Sequence, residues 1–214
     1  MNNLQKRILT ALIALPLSIY LIIIGGIPLV FFLVFILFAG IYELFTVFKK
    51  TSTKLFLLLI LILSLFSAYY LRENAMFFLY FAIAISISSD VGGYIFGKIF
   101  KWKKLTKISP NKTISGVFGS YFLSVICLFI YHYQLENVFG PGFQVNIKAF
   151  LITIIFSTVT QAGDLIISYF KRLEKIKDTG KILPGHGGIF DRIDGLMFVL
   201  ILASIFYYFK NIIL

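Results

Sequence analysis

Carboxylates inside or beside long apolar segments are the residues of this chain best placed to do chemistry. Asp90 and Asp164 lie within such segments, eight and seven residues before basic residues. Asp191 and Asp194 open the last apolar segment, at a spacing that puts them on one face of a helix. A carboxylate in a membrane is costly unless it is paired or bound to a cation. Converging carboxylates would form a hard-oxygen site suited to Mg²⁺.

Ion pairing is the alternative role for these acids. Asp164 could pair with Arg172 two turns further along its helix, and Asp191 or Asp194 with Arg192 or a loop lysine. Both interpretations stay open, and Asp164, Asp191 and Asp194 are the predicted metal ligands.

A charged stretch of 28 residues, Ser168 to Gly195, separates the last two apolar segments. It contains a Pro-Gly-His-Gly-Gly turn at 184–188, whose glycines let the backbone approach a ligand closely. His186, flanked by glycines and lying between lysines and carboxylates, is a predicted phosphate contact. A plain loop histidine is the alternative.

A second charged loop ends in Ser-Pro-Asn-Lys-Thr at 109–113, where a helix is predicted to begin. Backbone N–H groups at a helix N-terminus, with Lys112 beside them, favour a phosphate site; a lipid-headgroup anchor is the alternative. Gly93 and Gly97, which follow Asp90, have the spacing of a close helix-packing face. Helix packing alone explains Gly93 and Gly97, but it gives no reason for an acid at position 90.

Composition places the chain in a membrane. It is 59% hydrophobic and 14% charged, with a mean hydropathy of +0.95, against about 45–50% and 25% in soluble domains. The net charge of +11 does not indicate nucleic acid, because the basic residues lie in short loops between apolar segments. Anionic lipid headgroups and phosphorylated substrates are the expected partners.

Seven apolar segments are about as long as a helix that crosses a bilayer. They lie at roughly 8–24, 28–48, 55–71, 75–97, 113–133, 149–170 and 189–209. A lone segment in lipid must satisfy its own backbone hydrogen bonds, as a helix does. The predicted fold is an all-α polytopic integral membrane helical bundle of about seven transmembrane helices. Residues 1–75 would form N-terminal helices, the first a retained anchor, and residues 76–214 a catalytic membrane domain.

Basic residues are unevenly distributed between the two sides of this bundle. The loops on the N-terminal side hold 16 of the 20 Lys and Arg residues. The positive-inside rule then predicts a cytoplasmic N-terminus, with loops 98–112 and 171–188 in the cytosol. The predicted location is the inner (cytoplasmic) membrane, with the site open to the cytosol. Glu43, near the inner end of the second segment, is expected to be structural and paired with Lys49 or Lys50.

The charged stretch also carries a family resemblance. It resembles the signature of the phosphatidate cytidylyltransferases, or CDP-diacylglycerol synthases, in the pattern Ser168-x-Phe170-Lys171-Arg172-x4-Lys177-Asp178-x-Gly180-x2-Leu183-Pro184-x-His186-Gly187-Gly188-x2-Asp191-Arg192-x-Asp194. A second element is similar to that family at Asp90-x-Gly92-Gly93-Tyr94-x2-Gly97, followed by Ser109-Pro110-x-Lys112-Thr113. The resemblance runs from about residue 80 to residue 214. One departure is Ser115-Gly116, where the family usually has Glu-Gly.

The resemblance implies a nucleotidyltransferase of phospholipid biosynthesis, which converts CTP and phosphatidate into CDP-diacylglycerol and pyrophosphate. It implies Mg²⁺ on the matching aspartates Asp164 and Asp191; a second, monovalent cation and a homodimer are left open. The predicted catalytic residues are Lys171, Arg172, Asp178 and His186. The predicted substrate-binding residues are Asp90, Lys112, Ser168, Gly187, Gly188 and Arg192.

Three rival functions fit the sequence less well. A CTP-dependent polyprenol or phytol kinase would use the same nucleotide and a lipid acceptor, but the long signature argues against it. A CDP-alcohol phosphotransferase motif opens like residues 191–195 but needs further aspartates, and residues 196–214 contain no acid. An ion-coupled transporter would need acids along a path through the membrane, whereas these lie toward one side.

Overall fold

The computed structural model of the chain describes residues 3–135, 145–180, 182 and 187–209. Over these residues the fold consists of seven long α-helices, with a π-helical turn (Tyr131–Leu135) after the fifth. The helices are α1 (Asn3–Ile24), α2 (Gly26–Val47), α3 (Thr51–Asn74), α4 (Met76–Phe100), α5 (Ile114–Ile130), α6 (Ile147–Leu173) and α7 (Phe190–Tyr208). Each predicted apolar segment coincides with one helix, so the predicted all-α fold is confirmed.

Five of the described helices, α2 to α6, are long and apolar enough to cross a membrane. The apolar part of α1 is shorter, at Leu12–Ile24, and the first turns of α7 carry Asp191, Arg192 and Asp194. The chain is an integral membrane protein. Helix α7 brings charged groups to one end of an otherwise apolar bundle.

Helices α4 and α5 pack with their backbones unusually close. A Cβ atom built on Gly93 would lie 2.9 Å from the Ser120 hydroxyl, and one on Gly97 would lie 3.0 Å from Thr113 Oγ1. A Cβ atom on Gly92 would overlap the main chain of α5. The predicted glycine packing face is confirmed, because only small residues allow this approach.

Apolar side chains hold the start of α7 between three other helices. Phe190 is fully buried in a cluster with Leu44 near the end of α2, Leu61 of α3 and Ile167 of α6. Apolar burial against protein instead of lipid gains little hydrophobic free energy, so close packing is what orders such clusters. The position of α7 is therefore set at the residue where it begins.

The basic loops meet at one end of the bundle. The Lys50 backbone N–H donates to Glu174 Oε1 at 2.9 Å, and Arg172 Nε donates to the Ile108 carbonyl at 3.3 Å. These contacts join the α2–α3 connection, the α4–α5 loop and the loop after α6. Helices α4 and α6 run to Phe100 and Leu173, so each of these two loops begins three residues later than predicted.

The opposite end of the bundle is joined by its own polar contacts. Arg72 of α3 donates from Nε to the Ile22 carbonyl and from Nη2 to the Ile23 carbonyl, both at 2.6 Å. The guanidinium thus satisfies carbonyls at the end of α1, which have no partner within the helix. The Tyr207 hydroxyl donates to the Asn74 carbonyl at 2.7 Å, which ties α7 to the end of α3.

Candidate active site

Two of the predicted acids come together where α6 and α7 meet, and a third lies near them on α4. The Asp194 carboxyl group lies within hydrogen-bonding reach of the Asp164 carboxyl group, and the Gly195 N–H donates to Asp194 Oδ1 at 2.9 Å. Asp90 of α4 interacts electrostatically with Asp164. Two carboxylates side by side repel each other unless a positive charge or a proton lies between them.

Lys112 supplies positive charge to this group. Its ammonium lies 2.6 Å from Asp164 Oδ2 and also donates to the Gln161 carbonyl at 3.2 Å. The Ser168 hydroxyl, one turn along α6, donates to Asp164 Oδ1 at 3.3 Å. The ion-pairing alternative named Arg172 as the partner of Asp164, whereas the structure pairs Asp164 with Lys112. Arg172 instead donates to main-chain carbonyls, because its side chain turns outward to the two loops.

Lys171 and Asp191 form a second, more deeply buried pair. Lys171 Nζ lies 2.8 Å from Asp191 Oδ1, and both side chains are less than a tenth exposed. Asp191 Oδ2 accepts from the backbone N–H groups of Thr179 and Gly188, at 2.8 and 3.0 Å. Of the partners named by the ion-pairing alternative, a lysine of the predicted loop 171–188, Lys171, lies on Asp191. The lysine at the end of α6 reaches the acid at the start of α7 because the two helices pack together.

The loop between α6 and α7 folds back onto Asp191. Gly187 has a φ of +91°, in the left-handed region that favours glycine, and a Cβ atom there would lie 3.0 Å from Asp191 Oδ2. Asp178 is exposed beside Gly187, and Arg192 is exposed in the first turn of α7. His186 lies outside the described residues.

Helix α5 begins as predicted at the end of this loop, with Thr113 between Lys112 and its first residue, Ile114. The Thr113 side chain accepts from the Gly116 N–H at 3.1 Å and so caps the helix. Ser115, which stands where a glutamate would be usual, is buried and bonds with the Thr113 hydroxyl at 3.0 Å. This departure is accommodated locally, within the cap of α5.

The acid pair has the donor chemistry of a magnesium site. Mg²⁺ commonly takes one or two protein carboxylates and completes its shell with water and phosphate oxygens, which Asp164 and Asp194 fit. Among the described residues, no three His, Cys, Asp or Glu side chains form a group that could hold a metal ion by themselves. Asp191 already has partners on both oxygens, so its metal role stays a prediction.

A family comparison matches about three-quarters of the chain, and the matched part contains this site. The model of the Cytidylyltransferase family matches residues 53–210. The chain belongs to the cytidylyltransferase family. All the predicted catalytic, substrate-binding and metal-binding residues lie inside the matched region.

Curated relatives of the chain carry a more specific name. Proteins named phosphatidate cytidylyltransferase from Staphylococcus aureus (strain COL) and Staphylococcus haemolyticus (strain JCSC1435) are each 42% identical to it over 139 residues. The same values describe the Staphylococcus epidermidis protein (strain ATCC 12228 / FDA PCI 1200). The aligned residues cover 64% of this chain and 51% of each relative. The chain thus spans about half the length of the curated relatives it matches.

One residue of the site region was missed by the sequence reasoning. Glu43 of α2 is 1% exposed, and its carboxylate bonds to the loop before α7 rather than to a neighbouring lysine as expected. It lies before the region that matches the cytidylyltransferase family. The only signal in the sequence was an acid in an apolar segment with no counter-charge within one turn.

Proposed function

We propose that this chain transfers CMP from CTP to phosphatidate, which gives CDP-diacylglycerol and pyrophosphate. The observation that carries the proposal is the meeting of two lysine–aspartate pairs, Lys112–Asp164 and Lys171–Asp191, at one end of the bundle. Asp194 adjoins the first pair and electrostatic interaction links it to Lys171. Such a site offers positive charge to a triphosphate and carboxylates to its counter-ion.

The reaction itself demands positioning and charge neutralisation. An ionised phosphate oxygen of phosphatidate would attack the α-phosphorus of CTP in line, and the bond from that phosphorus to the bridging oxygen would break, so that pyrophosphate leaves. The attacking phosphate is ionised near neutral pH and needs no strong base. Two anions must meet, however, so fixed positive groups near the reacting atoms lower the barrier.

The lysines would neutralise this charge by exchanging partners. In the structure Lys112 and Lys171 each form an ion pair with an aspartate. When substrate binds, each ammonium would leave its aspartate and contact a phosphate oxygen. A Mg²⁺ ion held by Asp164 and Asp194 would neutralise further charge on the triphosphate. Arg172 and His186 would contact phosphate, and Asp178 would orient the loop.

The location of the site suits a substrate that is half lipid. The basic loops gathered at this end would face the cytosol of the cell, where CTP is found. Asp90 is exposed on the side of the bundle, so a lipid could keep its acyl chains in the bilayer while its phosphate enters the site. A homodimer stays a prediction.

Labelled CTP distinguishes this function from its nearest rival. The purified chain would be incubated with phosphatidate or, separately, with a polyprenol, in the presence of Mg²⁺ and CTP labelled on either the α- or the γ-phosphate. Cytidylyl transfer moves the α-label into the lipid fraction, whereas a lipid kinase moves the γ-label. Transfer of the γ-label alone, or of neither label, would contradict the proposal. Because the chain spans about half of its relatives, transfer would also demonstrate that this part suffices.

A further inference from the structure

A carboxylate outside the family-matched region holds the start of the helix that carries Asp191 and Asp194. Glu43 Oε1 accepts from the Ile189 N–H at 2.7 Å, and Oε2 accepts from the Phe190 N–H at 3.1 Å. Helix α7 begins at Phe190. The first N–H groups of a helix have no partner within it and favour negative charge. Glu43 of α2 therefore caps α7 from another helix.

Helix α7 has no cap of its own. The residue at its cap position is Ile189, which makes no side-chain capping bond. A Ser, Thr, Asp or Asn residue usually fills that role from within the same segment. Here the capping acid comes from a residue 146 positions earlier in the chain, so the cap also joins α2 to α7.

Thr179 links this cap to the Lys171–Asp191 pair. Its hydroxyl donates to Glu43 Oε2 at 3.2 Å, while its backbone N–H donates to Asp191 Oδ2 at 2.8 Å. Thr179 is fully buried. A shift of the Glu43 carboxylate would therefore move a group that also orients Asp191, the partner of Lys171.

Two glycines leave the space that the Glu43 carboxylate occupies. A Cβ atom on Gly180 would lie 2.8 Å from Glu43 Oε1, and one on Gly188 would lie 2.6 Å from Oε2 and overlap the Thr179 hydroxyl. Both glycines belong to the charged stretch between α6 and α7. Their contact with the acid gives a physical reason for small residues at these two positions.

We propose that Glu43 is a positioning residue for the transfer reaction. It acts through Thr179 on Asp191 and Lys171 and contacts no reacting atom itself. This inference rests on the proposed function for its kinetic part, whereas its structural part, the capping of α7, stands apart from any activity. Loss of the carboxylate should therefore loosen the start of α7 and lower kcat more than it raises the KM for CTP.

The principal test replaces the carboxylate by an amide of the same shape. Glu43→Gln puts a donor against backbone donors, so we expect kcat to fall about ten- to a hundredfold, as for other residues that orient catalytic groups. The KM for CTP should change much less, because the lost contact orients rather than binds. Glu174→Gln is the matched control, since it neutralises an acid with an exposed backbone contact at the same end of the bundle. Equal loss in the two variants, or an unchanged kcat in Glu43→Gln, would overturn the inference.

The Thr179 hydroxyl gives a second test that disturbs the fold less. Thr179→Val removes the hydroxyl at nearly constant shape, and Thr179→Ser retains it. We expect Thr179→Val to lower kcat and Thr179→Ser to keep most of the wild-type kcat. Combining Thr179→Val with Glu43→Gln should lower kcat little more than Glu43→Gln alone. Additive losses, or Ser as damaging as Val, would contradict the proposed link.

Amide exchange separates this inference from the proposed function. Glu43→Gln should speed hydrogen exchange at residues 189 and 190 by roughly tenfold, because their backbone N–H groups lose an acceptor. That measurement needs no substrate, so it tests the cap even if the wild-type chain transfers neither label of CTP. Unchanged exchange would overturn the cap, and unchanged kcat in an active protein would overturn the positioning role.

Discussion

The Lys112 ammonium lies 2.6 Å from the Asp164 carboxylate and joins the loop before α5 to the interior of α6. Both side chains are about a quarter exposed, at 24% and 26%, so solvent or a ligand can reach the pair. Asp194 of α7 lies within hydrogen-bonding reach of the same carboxyl group. The Lys112 ammonium therefore occupies the position beside Asp164 where an added cation would have to bind.

The first prediction concerns this competition. Lys112→Ala should raise the apparent affinity for activating Mg²⁺ by up to about fivefold, the factor for a partly exposed ion pair of about 1 kcal/mol. It should also lower kcat, because a phosphate contact is lost. Both are measured by titrating Mg²⁺ in the transfer assay. Lys107→Ala, an exposed lysine of the same loop, is the control. A weaker Mg²⁺ response in Lys112→Ala would contradict the assignment.

The second prediction concerns Asp164 itself. Asp164→Asn should lower kcat by about a hundredfold or more, since it removes the acid that we propose as a metal ligand. Higher Mg²⁺ should restore part of the activity. Insertion and folding are checked by monodisperse elution in detergent, with Glu73→Gln at the other end of the bundle as control. Near wild-type activity of Asp164→Asn at limiting Mg²⁺ would remove Asp164 from the metal site.

The third prediction separates a buried lysine from a solvated one. Lys171 is paired with Asp191, whereas Lys177 is exposed in the following loop. Lys171→Ala should lower kcat by at least about a hundredfold. Lys177→Ala should change substrate capture only, and its effect should fade at high salt. Equal and salt-sensitive losses in both variants would mean that the loop acts only as an electrostatic guide.

The fourth prediction concerns the contact between α4 and α5. Gly92→Ala puts a methyl group against the α5 main chain, which cannot rotate away, so the free energy of unfolding should fall by about 1–3 kcal/mol. Gly93→Ala meets the movable Ser120 hydroxyl instead and should cost less. Unfolding in mixed SDS micelles measures both. A larger loss in Gly93→Ala would indicate a different packing of these helices.

The fifth prediction concerns orientation in the membrane. In a Cys127→Ser background, a cysteine at Lys177 should react with an impermeant thiol reagent only when the cytosolic face is accessible. A cysteine at Glu73, exposed at the other end of the bundle, should react only from outside. The reverse pattern would invert the topology that the basic loops predict.

The positions of the helices followed from the sequence because they depend on local properties. A segment of about 20 apolar residues in lipid must satisfy its own backbone hydrogen bonds, and a helix does so without any partner. The glycine spacing in α4 likewise predicted a close packing face, and the threonine before α5 marked a helix start. The long motif at residues 168–194 indicated the family.

The partners of the charged groups required the tertiary structure. Spacing along one helix suggested Arg172 for Asp164, yet Lys112 lies closer, because α5 begins beside α6 and brings its preceding lysine with it. Glu43 and the start of α7 are 146 residues apart in the chain, and no local pattern relates them. Sequence alone determined which segments enter the membrane and which acids are costly there. Only helix packing decided which positive charge or N–H group offsets each acid, because that depends on distances between helices.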